Sequence, residues 1–172
     1  RLERVDTQSS GFGVLVDYAH TEDALRKVLS TVREGLEAEG RRRGDHGGRL
    51  LCVFGCGGDR DRGKRPLMGK AAGELADLVF LTSDNPRSED PRAIADDVLA
   101  GLAGTSAQVE VELDRRSAIH AALRAARPHD VVLIAGKGHE TTQQVGSNIY
   151  AFDDRAVAAE LLASGAWRGQ QG

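Results

Sequence analysis

The sequence predicts an α/β protein with an open, mostly parallel sheet and helices on both faces. Short runs rich in Val, Ile and Leu alternate along the chain with segments of helical periodicity, the order that parallel sheets require. Two of these runs, residues 50–55 and 131–135, are apolar almost throughout, as expected for strands covered on both faces. The segments that follow the strands are rich in Gly, Asp, Arg and His, which favours ligand-binding loops at one edge of the sheet.

The first half of the chain contains three predicted strands and two predicted helices. Pro66 suits the first turn of a helix, because the amide groups there have no partner within the helix. The predicted strands are 13–17, 50–55 and 78–82, the helices are 22–36 and 66–76, and a Gly/Arg-rich surface loop covers 40–49.

Capping residues and prolines delimit the predicted helices of the second half. Asp90 followed by Pro91 is typical of an N-cap and a first helical position, Asp114 and Asp153 are further N-cap candidates, and Pro128 ends a helix. The predicted helices are 91–102, 115–127 and 154–163, and the strands are 109–113 (half-buried), 131–135 and a last candidate at 148–152. The tail after Trp167 is expected to be frayed.

Composition and charge argue against several classes of protein. The 172 residues suffice for one domain with a buried core. The net charge is −3 and the aromatic content is 4%, so neither polyanion binding nor base stacking is supported. No apolar run approaches the roughly 20 residues of a membrane span, and no signal peptide opens the sequence. We therefore expect a cytoplasmic protein that binds neither nucleic acid nor membrane.

The two cysteines, Cys52 and Cys56, fit a reducing compartment better than a disulfide-linked fold. Their spacing would suit half of a metal site, but no second Cys/His pair follows at zinc spacing, so structural roles are favoured. The chain begins with Arg1 and its only methionine is Met68, which predicts a piece of a longer protein.

Four polar segments follow predicted strands: residues 17–20, 55–64, 84–87 and 136–140. Because ligands of open parallel sheets bind beyond the carboxyl ends of the strands, we expect these four segments to converge on one site.

Asp84, Asn85, Pro86 and Arg87 form the stiffest of these segments. Pro86 fixes one backbone torsion and biases Asn85 toward an extended conformation. A stiff turn suits a site that holds a guanidinium still, and the planar fork of arginine matches a carboxylate. The same composition is common in ordinary turns, so a purely structural role stays open on these residues alone.

Residues 136–140 combine two glycines with charged side chains. Gly136 and Gly138 allow a ligand to approach the backbone closely, and Glu140 can accept a hydrogen bond from an ammonium group. Lys137 and His139 are compatible with surface positions, which is the favoured interpretation for His139.

Asp17 and His20 end the first strand. The carboxylate suits ribose hydroxyls and the imidazole suits a phosphate, but a helix-capping turn ahead of Glu22 is an equal alternative.

Residues 58–64 share the glycine and lysine spacing of a phosphate-binding P-loop. Arg65 stands where that motif requires Ser or Thr for Mg²⁺, and charged residues fill the turn. The favoured interpretation is a glycine-rich turn, 55–58, that lets Arg60 reach into the cleft. A solvated charged loop would explain Arg62 but not the placement of Arg60.

The four segments offer arginines, which can bind carboxylates, and a glutamate, which can bind an amine. This combination suits an amino acid as ligand. The four segments, in this order, resemble the C-terminal domain of the Mur ligases, which has a Rossmann-like fold, and the resemblance covers essentially the whole chain. It is strongest to the members that add diaminopimelate, because their recognition motif matches residues 84–87. The lysine-adding members have another residue in place of the arginine.

The resemblance implies that Arg60 and Arg87 grip the carboxylates of meso-diaminopimelate, while Glu140 and the carbonyl of Gly136 take its distal ammonium group. The implied diaminopimelate-binding set is Arg60, Asp84, Asn85, Pro86, Arg87, Gly136 and Glu140, and the implied nucleotide-facing set is Arg1, Asp17 and His20. No catalytic residue and no metal ligand is expected in this chain. Glu22 departs from the family, where proline is frequent, and alters the helix entry.

The resemblance also implies an ATP-dependent reaction that forms an amide bond on a UDP-N-acetylmuramoyl-dipeptide through an acyl phosphate. ATP and Mg²⁺ would be held mainly by a central ATPase domain, which is expected outside residues 1–172, as is an N-terminal domain. This domain would pack on the central one and would be inactive alone. A stand-alone nucleotide-binding or amino-acid-binding module is the alternative; a folate polyglutamate ligase is disfavoured by residues 84–87.

Overall fold

The computed structural model describes residues 1–7 and 10–168. The strands are β1 (Glu3–Val5), β2 (Gly13–Asp17), β3 (Leu50–Phe54), β4 (Leu78–Leu81), β5 (Gln108–Val111), β6 (Val131–Ala135), β7 (Thr142–Val145) and β8 (Asn148–Ala151). The helices are α1 (Glu22–Arg43), α2 (Lys64–Leu75), α3 (Pro91–Leu102), α4 (Arg115–Ala125) and α5 (Asp154–Ala163).

Six strands form one open sheet in the order β1-β2-β6-β3-β4-β5. All neighbouring pairs are parallel except β1 with β2, which is antiparallel. Strands β7 and β8 form a separate antiparallel hairpin. The predicted open, mostly parallel sheet is therefore confirmed, and β2, β6, β3 and β4 send their carboxyl ends to the same edge.

The side chains of β3 alternate between two cores, which explains why this strand is apolar throughout. Leu50, Cys52 and Phe54 pack in the core that α1, α2 and α3 cover. Leu51 and Val53 pack on the opposite face, in the core that α4 and α5 cover. A central strand with helices on both faces has no solvent-facing side, so it carries no polar alternation.

Three predicted N-caps are confirmed. The side chains of Asp90, Asp114 and Asp153 each accept a hydrogen bond from a backbone N–H in the first turn of α3, α4 and α5, respectively. These carboxylates satisfy donors that have no partner within the helix. Helix α4 ends at Ala125, before Pro128.

Helix α1 is longer than predicted, and the predicted surface loop 40–49 is wrong over residues 40–43. Gly40 packs so tightly against Gly47 that a Cβ at Gly40 would overlap the backbone nitrogen of Gly47. The helix ends at Gly44, whose φ of 80° is the left-handed conformation favoured by glycine. The arginines of the last turn complement the helix dipole, so a segment that looked like a flexible loop is helical.

The remaining differences concern short or polar segments. Strands β1 and β7 were not predicted, and β8 belongs to the hairpin instead of the main sheet. Strand β5 is mostly exposed, not alternately buried, because it is an edge strand. Helix α2 begins at Lys64, so Pro66 lies within its first turn. The tail after Trp167 was predicted to be frayed; Arg168 donates from its N–H to the carbonyl oxygen of Gly165 at 3.0 Å, and residues 169–172 lie outside the described residues.

None of the helices in the described part of the chain is both long and apolar enough to span a membrane.

Candidate functional site

The four predicted segments meet at the carboxyl ends of β2, β3, β4 and β6 and line one cleft of about 540 Å³. This volume lies within the roughly 300–1,000 Å³ of typical small-ligand sites. The residues that these segments contribute to its lining include Tyr18, His20, Gly57, Arg60, Asp84, Asn85, Arg87, Gly136 and Glu140. The convergence expected from the order of strands is therefore confirmed.

The turn at residues 84–87 holds Arg87 in an unusual backbone conformation. Arg87 has a φ of 51°, in the left-handed region that few non-glycine residues adopt. Its guanidinium donates from Nη1 to the carbonyl oxygens of Gly58, at 2.9 Å, and Asn85, at 3.4 Å. Among the described residues, Nη2 and Nε of Arg87 have no hydrogen-bond partner, so the guanidinium is fixed at one end and free for a ligand at the other.

Gly58 allows the glycine-rich turn, 55–58, to pack against the proline-containing turn, 84–87. Its N–H donates to the carbonyl oxygen of Asn85 at 2.8 Å, and a Cβ at this position would overlap the carbonyl oxygen of Pro86. Pro86 itself is buried and does not line the cleft. Of the four residues predicted to bind the ligand from this turn, Pro86 can therefore act only through the shape of the backbone.

The backbone of residues 58–64 is not a phosphate cradle. The N–H of Asp59 donates to Glu89, and the N–H groups of Gly63 and Lys64 donate to Asp61. A P-loop needs such N–H groups free to bind phosphate. The glycine-rich turn instead places Arg60 on the cleft wall, where its exposed side chain donates to the carbonyl oxygen of Asp59 at 3.0 Å.

Lys137 is buried, so the surface position that its sequence context allowed is not the one it occupies. Its ammonium lies 3.2 Å from Oδ1 of Asp84 and donates to Oδ1 of Asn85 at 3.0 Å and to the carbonyl oxygen of Thr142 at 2.9 Å. It lies 3.9 Å from Glu140. Asp84 and Asn85 lie more than fifty residues away in the chain, which is why local sequence did not reveal that Lys137 is buried.

The family model of the Mur ligase, glutamate ligase domain matches residues 1–138 of this chain. The chain belongs to the Mur ligase family. Among curated relatives, the UDP-N-acetylmuramoyl-L-alanyl-D-glutamate–2,6-diaminopimelate ligase of Solibacter usitatus is 54% identical over 162 residues, or 94% of this chain and 31% of the relative. The ligase of the same name from Gloeobacter violaceus is 52% identical over 170 residues, or 98% of this chain and 32% of the relative.

A solved structure of a UDP-N-acetylmuramoyl-L-alanyl-D-glutamate–2,6-diaminopimelate ligase superposes on this Mur ligase domain with a TM-score of 0.82 and 40% sequence identity. The alignment covers 96% of this chain and 31% of that one. The chain therefore spans about a third of the length of the relatives that it matches.

Arg65 is a residue of the Mur ligase cleft that sequence reasoning missed. It is buried, and it forms ion pairs with Glu89, at 2.6 Å, and Asp97, at 3.0 Å. The hydrogen bond from Arg65 lowers the pKa of Glu89, and the hydroxyl of Ser88 likewise lowers the pKa of Asp59. Glu89 and Asp59 are therefore ionised. Their hydrogen bonds connect the loop that carries Arg60 to the residues that follow Arg87. No local signal marks Arg65, because its partners lie more than twenty residues away.

Gly136 and Glu140 also line the cleft. Gly136 has a φ of 117°, and a Cβ there would lie 2.9 Å from Oδ2 of Asp84. Gly138, with a φ of 55°, packs against Tyr18, which a Cβ would approach to 2.7 Å. His139 is exposed, as predicted.

The predicted nucleotide-facing residues lie at the rim of the Mur ligase domain. His20 lines the cleft, is exposed, and has its Nδ1 2.9 Å from the carbonyl oxygen of Tyr18. Asp17 does not line the cleft; its Oδ1 accepts from the N–H of Ala19, and its Oδ2 lies 3.6 Å from the amino group of Arg1. Asp17 thus stabilises a local turn but does not cap helix α1; the cap is Thr21, whose side chain accepts from the N–H of Ala24 at 3.3 Å.

Within residues 1–7 and 10–168, no group of three or more His, Cys, Asp or Glu side chains has the arrangement of a metal site.

Proposed function

We propose that this chain is the diaminopimelate-binding domain of an ATP-dependent ligase that adds meso-2,6-diaminopimelate to UDP-N-acetylmuramoyl-L-alanyl-D-glutamate in peptidoglycan synthesis. The observation that carries the proposal is the guanidinium of Arg87, anchored by Gly58 at 2.9 Å and lining the cleft. Its unpaired edge suits a carboxylate, which an arginine fork binds with two parallel hydrogen bonds. The names of the most similar relatives support the same substrate.

The cleft is lined by groups suited to both kinds of charge that diaminopimelate carries. Arg60 and Arg87 would bind its carboxylates. Glu140 and the carbonyl oxygen of Gly136 would accept from the distal ammonium group. The oxygen Oδ1 of Asn85 is already engaged by Lys137 and the N–H of Gln144, so its amide nitrogen would face the ligand.

This domain would contribute positioning to the reaction. ATP would supply the phosphoryl group that activates the D-glutamate side carboxylate as an acyl phosphate. The amine of diaminopimelate, held in the cleft, would form the new C–N bond and lose a proton as the C–O bond to phosphate breaks. Fixing the amine replaces a bimolecular encounter with an aligned one, which lowers the entropic part of the barrier.

The residues present fit a supporting role toward ATP and Mg²⁺. His20 and Arg1 are exposed at the rim and would face the nucleotide, whereas the N–H groups of Asp59, Gly63 and Lys64 are occupied by internal acceptors. We therefore propose that a central domain of the longer, cytoplasmic chain holds most of ATP and Mg²⁺, and that this domain packs on it.

The test is product formation by the full-length enzyme. Mass spectrometry should detect ATP-dependent addition of meso-diaminopimelate to the uridine-linked precursor, and residues 1–172 alone should form none. Product from L-lysine but not from diaminopimelate would overturn the substrate assignment. Product from residues 1–172 alone would overturn the assignment of the chemistry to a separate domain.

A further inference from the structure

The hairpin of β7 and β8 contacts every ligand-lining residue of the 84–87 turn from behind. The side chain of Gln143 donates to the carbonyl oxygen of Asp84 at 2.8 Å, and the N–H of Gln144 donates to Oδ1 of Asn85 at 2.8 Å. The N–H of Arg87 donates to the carbonyl oxygen of Gln144 at 3.2 Å, and the N–H of Gly146 donates to the carbonyl oxygen of Arg87 at 2.6 Å. Both backbone groups of Arg87 are therefore held by the hairpin.

The ammonium group of Lys137 connects the hairpin to the 84–87 turn. An ammonium group has three donors, and those of Lys137 face three acceptors: Oδ1 of Asp84, Oδ1 of Asn85 and the carbonyl oxygen of Thr142. One acceptor belongs to the hairpin and two belong to the turn. A buried ammonium without partners is strongly unfavourable. Moving the hairpin away from the turn would therefore leave the charge of Lys137 only partly compensated, which opposes that movement. The saturated donors leave Lys137 no hydrogen bond for a ligand.

The hairpin does not line the cleft at any of its residues 142–151. Its strands lie outside the main sheet, and β8 is exposed along its whole length. The contacts just described give this exposed element a structural role beside the cleft. They also counter the strain of Arg87, whose φ of 51° is costly unless its surroundings enforce it.

We propose that this hairpin, fastened by Lys137, is a positioning element that determines specificity for the far carboxylate of the diamino acid, by holding Arg87 in its left-handed conformation. The inference rests on the proposed function. It predicts that loosening the hairpin impairs the use of diaminopimelate but spares L-lysine, which lacks that carboxylate.

The experiment compares two adjacent glutamines in the full-length enzyme. Gln143→Met removes the bond to Asp84 and keeps the side-chain volume. Gln144→Met is the matched control, because the side chain of Gln144 makes only a 3.4 Å contact within the hairpin. We expect Gln143→Met to raise the KM for meso-diaminopimelate at least fivefold, and Lys137→Met at least tenfold. In both variants, the KM for the uridine-linked precursor and the kcat/KM for L-lysine should stay within twofold of the wild-type values.

A KM for diaminopimelate in Gln143→Met within twofold of that in Gln144→Met would overturn the inference, as would a parallel rise in the KM values for precursor and ATP. If Lys137→Met fails to fold, Gln143→Met, with its thermal midpoint compared to wild type, decides alone. A wild-type enzyme that forms product with L-lysine but none with diaminopimelate would instead overturn the proposed function, and this inference with it.

Discussion

Arg115 and Asp154 form an ion pair in which both side chains are fully buried, with Nη2 of the arginine 2.7 Å from Oδ2 of the aspartate. The pair joins α4 to α5. The remaining donors of Arg115 reach the carbonyl oxygens of Ser83 and Ala135, each at 3.1 Å. These two residues directly precede Asp84 and Gly136 in the chain, so the buried pair holds the ends of β4 and β6 where the cleft begins.

Asp154→Ala should therefore be strongly destabilising. Removing one partner of a buried ion pair costs about 3–5 kcal/mol, because the other charge stays buried without compensation. Urea denaturation of the 172-residue chain measures this loss. Glu160→Ala is the matched control: it breaks the exposed Arg116–Glu160 pair between the same two helices, and exposed pairs contribute little. Equal losses in the two variants would contradict the prediction.

Arg87→Ala in the full-length enzyme should lower kcat/KM for diaminopimelate by a factor of roughly 30 to several thousand. The range follows from about 2–5 kcal/mol for truncating one partner of a buried charge pair, at about 1.4 kcal/mol per tenfold. Arg92→Ala is the control, since Arg92 is exposed and its ion pair within the described residues is with Asp96, one helical turn away. Steady-state kinetics measures both, and less than a threefold loss would remove Arg87 from the site.

Gly58→Ala should damage both stability and diaminopimelate binding. The new methyl group would overlap the carbonyl oxygen of Pro86, and the turn would have to move at a cost of about 1–3 kcal/mol. Gly35→Ala is the opposite case: among the described residues, a Cβ at Gly35 in α1 would have no atom within 4 Å apart from its chain neighbours and the backbone of its own helix, so alanine should stabilise by about 0.5–1 kcal/mol. Thermal unfolding of both variants measures the contrast; a stable Gly58→Ala with an unchanged KM would refute it.

The two cysteines should be unreactive and should make stability depend on alkaline pH. Burial raises the pKa of Cys52 and of Cys56 to about 12 from an ordinary value of 9.0. Native protein at pH 8 should therefore not react with a thiol reagent, whereas unfolded protein should react at both sites. Above pH 9 the unfolded chain loses these protons first, so stability should fall by up to about 1.4 kcal/mol per pH unit per thiol until pH 12.

The control for the alkaline effect is a variant with both cysteines replaced by alanine. Its urea midpoint should fall less steeply between pH 9 and 10.5 than that of wild type, because the variant lacks the two thiols and is otherwise identical. Identical slopes, or rapid labelling of native Cys52 or Cys56, would show that the thiols are accessible.

Local signals predicted the five parallel strands of the main sheet and most helix ends correctly. Asp90, Asp114 and Asp153 could be recognised as caps because a capping side chain bonds to backbone only two or three residues away. The alternation of apolar strands with helices was sufficient to bring the four loops to one edge. The extension of α1 to Arg43 could not be seen, because it depends on Gly40 meeting Gly47 in the folded chain.

Partners distant in the chain account for what sequence reasoning missed at the site. The burial of Lys137 could not be predicted, since nothing near it in sequence shows that Asp84 and Asn85 would surround its ammonium group. Strand β7 is polar on both faces and carries no pattern, yet its backbone holds Arg87.

The sequence by itself determined the sheet, its helical layers and the edge where the site forms, because periodicity and capping act within a few residues. Only the tertiary structure decided which side chains face the cleft and which support it from behind. Arg65 and Lys137 are buried by contacts across more than twenty residues of chain, and the charges that neutralise them become neighbours only on folding.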